Sequence, residues 1–329
     1  MSDKPVRWGD DADEVIRGDL TVAAAYVTPA GGAVAVGVSP CGLADRERGT
    51  LGFTTSLGFG KKLEHIVRDP HVALAYHARD HGFSARPHYV LAQGLASVDL
   101  EPSPARLHEF GPQATRFLGP LKQGPVWDRL LREYYAERVF VDIDVARVVT
   151  WPDLHASGTP ETTGAVTSEA APPQGPPKGG VGARIDVERT AGQLSSLPHR
   201  LLAWRGADGF PVVVPVGLAG HDASGLELVA ADGLLPAGGR RAGLLGHSYR
   251  PKLVGLATRI LTGWLEVDDE GRARYAPHTS RGFLAPPRKN LLLVSNGLMA
   301  KVGHRRAGRP GAAARLRDLA DERRRNTLS

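Results

Sequence analysis

One stretch, residues 52–78, decides the fold that the sequence predicts: GFTTSLGFGKKLEHIVRDPHVALAYHA. Its first residues belong to a run, 49–56, whose β-branched and aromatic residues indicate a strand. Residues 61–69 carry apolar side chains at positions 63, 66 and 67, which is the spacing of a helix with one buried face. A proline ends that helix, and residues 71–78 indicate the next strand. The stretch therefore predicts a strand, a helix and a second strand.

Strands dominate on both sides of this unit. Apolar runs bounded by turn residues indicate strands at 20–28, 33–39, 89–100 and 138–149. Helical periodicity separates the last two of these runs, at 104–117 and 126–137. Because short turns join several of the strands, we expect antiparallel sheet and a mainly β fold with accessory helices.

The strand pattern of the first half recurs in the second half. GGAVAVGV at 31–38 matches GFPVVVPV at 209–216, and GLASV at 94–98 matches GWLEV at 263–267, in the same order. We interpret this as an internal duplication, although any two valine-rich antiparallel strands would align comparably. Where the helix of 61–69 should recur, the second half has only PAGGRR, so the second copy is predicted to be degenerate.

The segment 157–182 divides the two halves. It is rich in Pro, Gly, Ala and Thr and has almost no large apolar residue, which is typical of a flexible linker. The predicted organisation is a first barrel-like domain at 1–156, the flexible linker at 157–182, a second, degenerate domain at 183–300 and a basic tail at 301–329.

The basic tail accounts for the net charge of +6, so the rest of the chain is neutral. Acidic residues interleave with the arginines of 312–325 and no aromatic residue does, so we expect a solvated helix or a disordered end and no nucleic-acid binding. No apolar run reaches the roughly 18 residues of a membrane helix, and the first residues lack a secretory signal pattern. We therefore expect a cytoplasmic protein without membrane association.

The hydroxyl and basic residues around the predicted helix start indicate an anion site. Thr54, Thr55 and Ser56 end one strand, and Lys61 and Lys62 open the helix. A helix start offers unpaired N–H groups and partial positive charge, to which the lysines add full charge. A phosphate monoester is the ligand that this combination favours. The same residues also fit ordinary helix capping with two solvated lysines, and both interpretations stay open.

This pattern resembles the pyridoxamine 5'-phosphate oxidase-like family of FMN-binding split barrels. In that family a strand ending in hydroxyl or amide residues leads to a basic pair, and the helix closes with Asn-Pro or Asp-Pro, here Asp69-Pro70. The resemblance covers about residues 12–152 and extends more faintly over 186–280. It implies two tandem antiparallel split β-barrel domains with Greek-key connections.

The resemblance also implies a cofactor and an activity. The chain would be an FMN-dependent oxidoreductase acting on a small-molecule redox substrate, with the flavin phosphate held by Lys61 or Lys62 and by the hydroxyls of 54–56. The isoalloxazine would lie along the second and third strands, near Val36, Gly37, Val38 and Ser39. A deazaflavin-dependent reductase, or a non-enzymatic protein that binds haem or another cofactor, is the alternative. The Arg-x-His pattern of true pyridoxamine phosphate oxidases has no match, so that activity is not expected.

The resemblance also implies how the chain assembles. Members of the family form dimers that share cofactor sites, so the duplicated chain would form an intramolecular pseudo-dimer or a homodimer.

Four histidines, His71, His77, His81 and His88, lie close together in sequence. Metal or haem ligation by these histidines is an alternative to a structural role, which is commoner for a strand histidine. We therefore expect no metal site, and no catalytic side chain is assigned.

Overall fold

Two antiparallel sheets make up most of the computed structural model, which describes residues 4–57, 60–120, 124, 138–166, 169–286 and 311–328. This confirms the predicted mainly β class. A short 3-10 helix (Pro251–Leu253) and five α-helices accompany the sheets in this part of the chain: α1 (Asp10–Gly18), α2 (Gly60–Arg68), α3 (Pro104–Leu118), α4 (Val187–Ser195) and α5 (Gly311–Leu328). The helix predicted at 126–137 lies outside the described residues.

The first sheet contains the strands predicted around the 52–78 unit. Its members are β1 (Val22–Val27), β2 (Ala33–Val38), β3 (Ala44–Asp45), β4 (Thr50–Ser56), β5 (His71–Tyr76), β6 (Tyr89–Asp99), β7 (Arg138–Trp151) and β8 (Glu161–Gly164). Their order is β2-β1-β5-β6-β7-β4-β3, with β8 pairing to β7. The strand β4 thus lies beside β7 and not beside β5, a Greek-key connection that α2 spans.

The second sheet repeats this order. Its strands are β9 (His199–Arg205), β10 (Pro211–Pro215), β11 (Gly217–Asp222), β12 (Gly225–Val229), β13 (Gly238–Ser248), β14 (Ala257–Val267) and β15 (Ala273–Leu284). They follow the order β10-β9-β13-β14-β15-β12-β11. Apart from β8, which has no counterpart here, each strand therefore has the neighbours of its counterpart in the first sheet. Residues 230–237, all of them described, form no helix where α2 would recur.

The strand β1 is buried on both faces, and its side chains explain how the sheets pack. Val22, Ala24 and Tyr26 enter the core of the first half, beneath α1 and α2. Ala23 and Ala25 point the other way, into a cluster that both sheets share. Because alternate side chains of a strand lie on opposite faces, an alanine at every second position leaves a flat face that another sheet can approach closely.

Small residues of the first sheet meet larger aliphatic residues of the second at this junction. The cluster contains alanines of β1, β2 and β5 together with Leu201, Ala203, Val213 and Leu245 of the second sheet. Two buried hydrogen bonds cross it, since Tyr89 Oη donates to Val213 O and Gln93 Nε2 donates to Pro211 O, each at 2.6 Å. The junction is therefore apolar, and the two hydrogen bonds fix the position of one sheet relative to the other.

The segment 157–182 differs from the unstructured linker that its composition predicts. It contains β8, and its Ala171 is buried in the core of the second half. The Gln174 side chain donates to Gly31 O at 2.8 Å, and its backbone N–H donates to Gly239 O at 2.7 Å. Hydrogen bonds from backbone and side-chain amide groups anchor the segment, whereas large apolar side chains are almost absent. The composition of the segment therefore does not predict these contacts. The domain boundaries themselves stay a prediction.

The helix in the basic tail is not simply solvated. α5 packs against α2, and Leu316 is buried in the core of the first half. An ion pair between Arg315 and Glu64 at 3.4 Å joins the two helices, and Arg317 contacts Glu101. This corrects the expectation from the tail's charge, because Leu316, with Leu319 and Ala320, gives the helix an apolar face that packs on the core of the first half. None of the helices described is long and apolar enough to cross a membrane.

Candidate functional site

The predicted anion site lies where α2 begins. Leu63, Ile66 and Val67 form the buried face of this helix, and its first turn contains Lys61 and Lys62 with no acidic residue. Lys61 is exposed, whereas Lys62 is half-buried. The ammonium of Lys62 lies 5.2 Å from the centroid of the Phe53 ring on β4. The two lysines are therefore not equivalent, and the sequence-based interpretation of two solvated lysines is wrong for Lys62.

The environment of Lys62 disfavours its charged form. Burial lowers its pKa from the ordinary value of 10.5 to about 8. A charged ammonium loses solvation in such a place, and a neighbouring anion would restore the stability of the charge.

The three hydroxyls at the end of β4 do not converge. Thr55 pairs with Val139, whose side chain enters the first core together with Phe53, so Thr55 lies on the α2 side of the sheet. Thr54 and Ser56 lie on the opposite face, because side chains alternate along a strand. Thr54 Oγ1 accepts a hydrogen bond from Arg138 Nη1 at 2.7 Å. The structure therefore brings Thr55 and Lys62 to one face and places Thr54, Ser56 and Arg138 on the other.

Arg138 is a residue that sequence reasoning missed. It begins β7 directly opposite Ser56, and its guanidinium lies over the ring of Phe110 in α3 at 5.4 Å from the centroid. The available signal was the alternation of β7, which puts Arg138 on the same face as the hydroxyls of β4 if the two strands pair. Their pairing joins distant parts of the chain and could not be read locally.

The strand β2, where the isoalloxazine was predicted, is an edge strand of the first sheet. Val36 and Val38 face the core of the first half. Gly37 faces the other way, and a side-chain carbon there would meet only Thr21 Oγ1, at 4.0 Å. An edge strand leaves backbone N–H and C=O groups unpaired by the sheet, so β2 offers polar backbone next to an open glycine.

Ser39 and the single cysteine lie just beyond β2 and serve the structure. Ser39 Oγ donates to Leu20 O at 2.7 Å and lies 3.4 Å from Cys41 Sγ. Burial raises the pKa of the Cys41 thiol, with Ser39 and Arg138 acting in the opposite direction. A thiol with a raised pKa is a poor nucleophile at neutral pH, which disfavours a nucleophilic role for Cys41.

An aromatic pair and a cation from the second sheet lie next to α2. The rings of Tyr26 and His65 stack with centroids 5.6 Å apart and planes at 18°. Burial raises the pKa of Tyr26 to about 12, and the charge of Arg281 on β15 acts against this rise. Burial, followed by the charge of Arg68, lowers the pKa of His65. Both halves of the chain therefore contribute charge around this helix.

The basic residues of the PAGGRR segment, 236–241, include an arginine with a structural role. Arg240 is fully buried, and its guanidinium donates to Ala171 O at 2.8 Å, to Pro236 O at 2.9 Å and to Ala237 O. Backbone carbonyls thus bind both terminal nitrogens of the cation, whereas its buried Nε has no hydrogen-bond partner among the described residues. Among the described residues, the second half has no lysine pair at a helix start comparable to that of α2.

The fold places His71 and His77 at opposite ends of β5, and His77 meets a histidine of the second half. His71 bonds to Asp69 at 2.6 Å, at the start of β5. His77, at the other end of that strand, has its Nε2 atom 2.6 Å from Nε2 of His247. Sequence reasoning missed His247. The described residues contain no group of three or more His, Cys, Asp or Glu side chains arranged to hold a metal ion.

A polar cavity of about 440 Å³ lies elsewhere, between the start of α1 and strands β7 and β8. Asp11, Arg86 and Glu161 contribute to its lining. None of the residues predicted to bind a cofactor lines this cavity.

Comparisons with known proteins give distant likenesses. A haem binding protein from Mycobacterium smegmatis is 15% identical, with 90% of this chain and 99% of that chain covered and a TM-score of 0.32. A pyridoxamine 5'-phosphate oxidase-related, FMN binding protein from Nostoc punctiforme is 11% identical over 60% of this chain and 87% of its own, with a TM-score of 0.27. An FAD-binding protein from Mesorhizobium loti is 16% identical over 49% and 97%, with a TM-score of 0.29. No family model matches the chain, and no curated protein matches it.

Proposed function

We propose that this chain binds a flavin phosphate, FMN, at the start of α2 and acts as an oxidoreductase on a small-molecule substrate. The observation that carries the proposal is the half-buried ammonium of Lys62, which lies in the first turn of α2 and has a pKa lowered to about 8. A phosphate dianion beside it would compensate the charge that burial leaves poorly solvated.

The charge distribution of α2 supports an anionic ligand. The N-terminus of a helix carries partial positive charge, so acidic residues are stabilising there and lysines are not. The helix α1 follows this preference, with Asp10, Asp11 and Asp13 in its first turn. The helix α2 instead has Lys61 and Lys62 in its first turn and no acidic residue. A bound phosphate would reverse that unfavourable balance, because it would meet the unpaired N–H groups of the first turn and the positive charge beside them.

The strand β2 supports the ring part of the ligand. Its edge position and the open space at Gly37 suit a flat heterocycle with alternating hydrogen-bond donors and acceptors. Lys61 or Lys62 would hold the phosphate, and the backbone of 36–39 would orient the ring. FMN supplies hydride or electron transfer when bound, whereas the protein supplies binding and orientation. Thr54 and Ser56 lie on the face of the sheet opposite Lys62, so we assign the phosphate to the lysine side, with Thr55.

An absorbance spectrum of the purified chain, followed by a titration, tests the proposal. Bands near about 370 and 450 nm identify a flavin, one near about 420 nm the deazaflavin coenzyme, and a sharp Soret band haem. If the chain is purified without cofactor, the fluorescence of added FMN should decrease when FMN binds to the chain. Riboflavin, which lacks the phosphate, should bind much more weakly. Equal affinity for FMN and riboflavin would contradict a phosphate site at α2. A Soret band would favour the haem alternative.

A further inference from the structure

His77 and His247 occupy the same position in the two sheets. In the first sheet Ala24 of β1 pairs with Leu74 of β5, and in the second Leu202 of β9 pairs with Leu244 of β13. Ala24 and Leu202 are themselves equivalent, because they pair with the matching valines Val36 and Val214. His77 follows Leu74 by three residues, and His247 follows Leu244 by three.

The hydrogen bonds fix the protonation state of this histidine pair. His77 Nδ1 lies 2.9 Å from Ala75 O, and a carbonyl oxygen only accepts, so His77 carries its proton on Nδ1. Its Nε2 is therefore an acceptor, and His247 Nε2–H donates to it across 2.6 Å. His247 Nδ1 is then unprotonated, and it is buried with no hydrogen-bond partner in the described part of the chain. One proton therefore lies between the two Nε2 atoms, and a second proton there would place two N–H donors against each other.

Titratable and charged groups surround the pair on several elements. The ring of His199 on β9 lies 5.7 Å from His77 and 5.1 Å from His247, and His199 Nε2 lies 3.0 Å from Asp80 Oδ2. The ring of Tyr249 stacks on His247 at 5.7 Å and 12°. The other charged or titratable groups that face this cluster are Asp19, Arg79, His81 and Arg200.

We propose that the contact between His77 and His247 is a proton-sensitive latch that holds the two sheets together at neutral pH and releases them in acid. Protonating His77 places an N–H group against the N–H group of His247. Protonating His247 adds an Nδ1–H group with no acceptor among the described residues. Either event puts a positive charge in a buried site beside another imidazole, and separation of the sheets lets water solvate that charge.

The direction of the pH dependence follows from the burial. Burial lowers the pKa of His77 to about 3 and that of His247 well below its ordinary value. An opened state, in which both rings meet water, takes up protons below about pH 6.5, so acid favours opening. Two histidines regaining ordinary pKa values increase the open population by up to about 100-fold per pH unit below that value. Asp19 acts in the opposite direction, because burial raises its pKa to about 7.

Cys41 provides a built-in reporter of opening. It is the single cysteine of the chain, and its side chain is 1% exposed in a cluster that includes Tyr249 of the second half. Its rate of reaction with 4,4'-dithiodipyridine, which reports thiols in mild acid, should be measured from pH 7.5 to 4.5. Dividing by the rate in the urea-unfolded chain at each pH removes the effect of pH on the thiol itself. Far-UV circular dichroism at each pH monitors the strands.

The comparison needs matched variants. The native chain should lose protection of Cys41 steeply between pH 6.5 and 4.5. The double variant His77→Gln with His247→Gln cannot be protonated at the latch and should have a profile at least tenfold flatter over that range. His108→Gln removes an exposed histidine of α3 and should behave as the native chain does. Asp19 is unchanged in all three chains, so their differences isolate the histidine pair.

Three results would overturn the latch. The first is the same pH profile for the double variant and the native chain. The second, which needs no variant, is an imidazolium at His77 or His247 at pH 7 in nitrogen NMR spectra, where we expect one Nδ1–H and one Nε2–H neutral ring. The third is one equivalent of zinc or another transition metal in the purified chain, lost in either histidine variant, because the two Nε2 atoms would then hold a metal instead of a proton.

Discussion

Gly94 and Gly263 occupy the same irregularity in the two sheets. The register of β6 and β7 shifts between Gln93 and Gly94, and the register of β14 and β15 shifts between Thr262 and Gly263. A side-chain carbon on Gly94 would lie 2.3 Å from Asp144 O, and one on Gly263 would lie 2.2 Å from Ala276 O. Each bulge therefore brings a neighbouring backbone to a distance that only glycine permits.

Replacing either glycine with alanine should destabilise the chain. The added carbon meets a backbone carbonyl that is fixed by the sheet, so the strand must shift, and we expect a loss of about 1–3 kcal/mol or more for Gly94→Ala and for Gly263→Ala. Urea unfolding curves measure the loss. Gly111→Ala is the control, since nothing lies within 4 Å of a carbon added there and alanine favours a helix. A native-like midpoint for Gly94→Ala would show that the bulge can relax.

Lys62→Ala should weaken FMN binding more than Lys61→Ala does. Lys62 is the half-buried member of the pair, and loss of its charge-assisted hydrogen bond to a phosphate costs about 1.5–3 kcal/mol, or roughly 10- to 150-fold in Kd. Fluorescence titrations with FMN and riboflavin measure both affinities. Lys178→Ala, an exposed lysine in 157–182, is the control. Unchanged FMN affinity in Lys62→Ala would mean that Lys62 does not bind the phosphate and that the two lysines only begin the helix.

FMN affinity should fall at alkaline pH. Lys62 is charged below its pKa of about 8 and loses its charge above it, so affinity should be highest near pH 7 and fall by up to about tenfold per pH unit above 8. Lys62→Arg keeps the charge throughout this range and should flatten the profile, because a guanidinium stays protonated. Parallel alkaline profiles for the two chains would place the titrating group elsewhere.

The chain should bind one equivalent of FMN. The second half forms no helix over 230–237, and Arg240 is already bonded to three backbone carbonyls. Arg241, which follows Arg240, is held in part by Gln174 Oε1, which accepts from the backbone N–H of Arg241 at 3.1 Å. Calorimetric titration gives the stoichiometry directly. Two equivalent sites would contradict the asymmetry between the halves.

Leu316→Ala should release α5 from α2. Leu316 is 2% exposed within the core of the first half, and truncating a buried leucine costs about 2–5 kcal/mol, limited here by the stability of the docked helix. Trypsin should then cut the arginine-rich tail faster, with little change in the unfolding of the sheets. Arg317→Ala removes an exposed ion pair with Glu101 and should have almost no effect on the rest of the helix. Equal cleavage rates for the two variants would mean that the apolar contact does not dock the tail.

Local patterning in the sequence determined most strands of the first half and the helices α2 and α3, but not α1, β3 or β8. Apolar runs between turn residues marked β1, β2, β5 and β6, and the spacing of Leu63, Ile66 and Val67 marked α2, because strand and helix periodicities are properties of a few consecutive residues. The order of the valine-rich strands also matched the two sheets to each other, and the absence of a helical pattern before β13 agreed with the loop found there.

Only the tertiary structure decided which of these residues meet. The pairing of β4 with β7 put Thr54 beside Arg138 and on the face opposite Lys62, and burial against Phe53 changed the character of that lysine. The docking of Leu316, the anchoring of 157–182 and the contact between His77 and His247 likewise join segments far apart in the chain. Such contacts depend on how the two sheets pack, and no local period or composition encodes that packing.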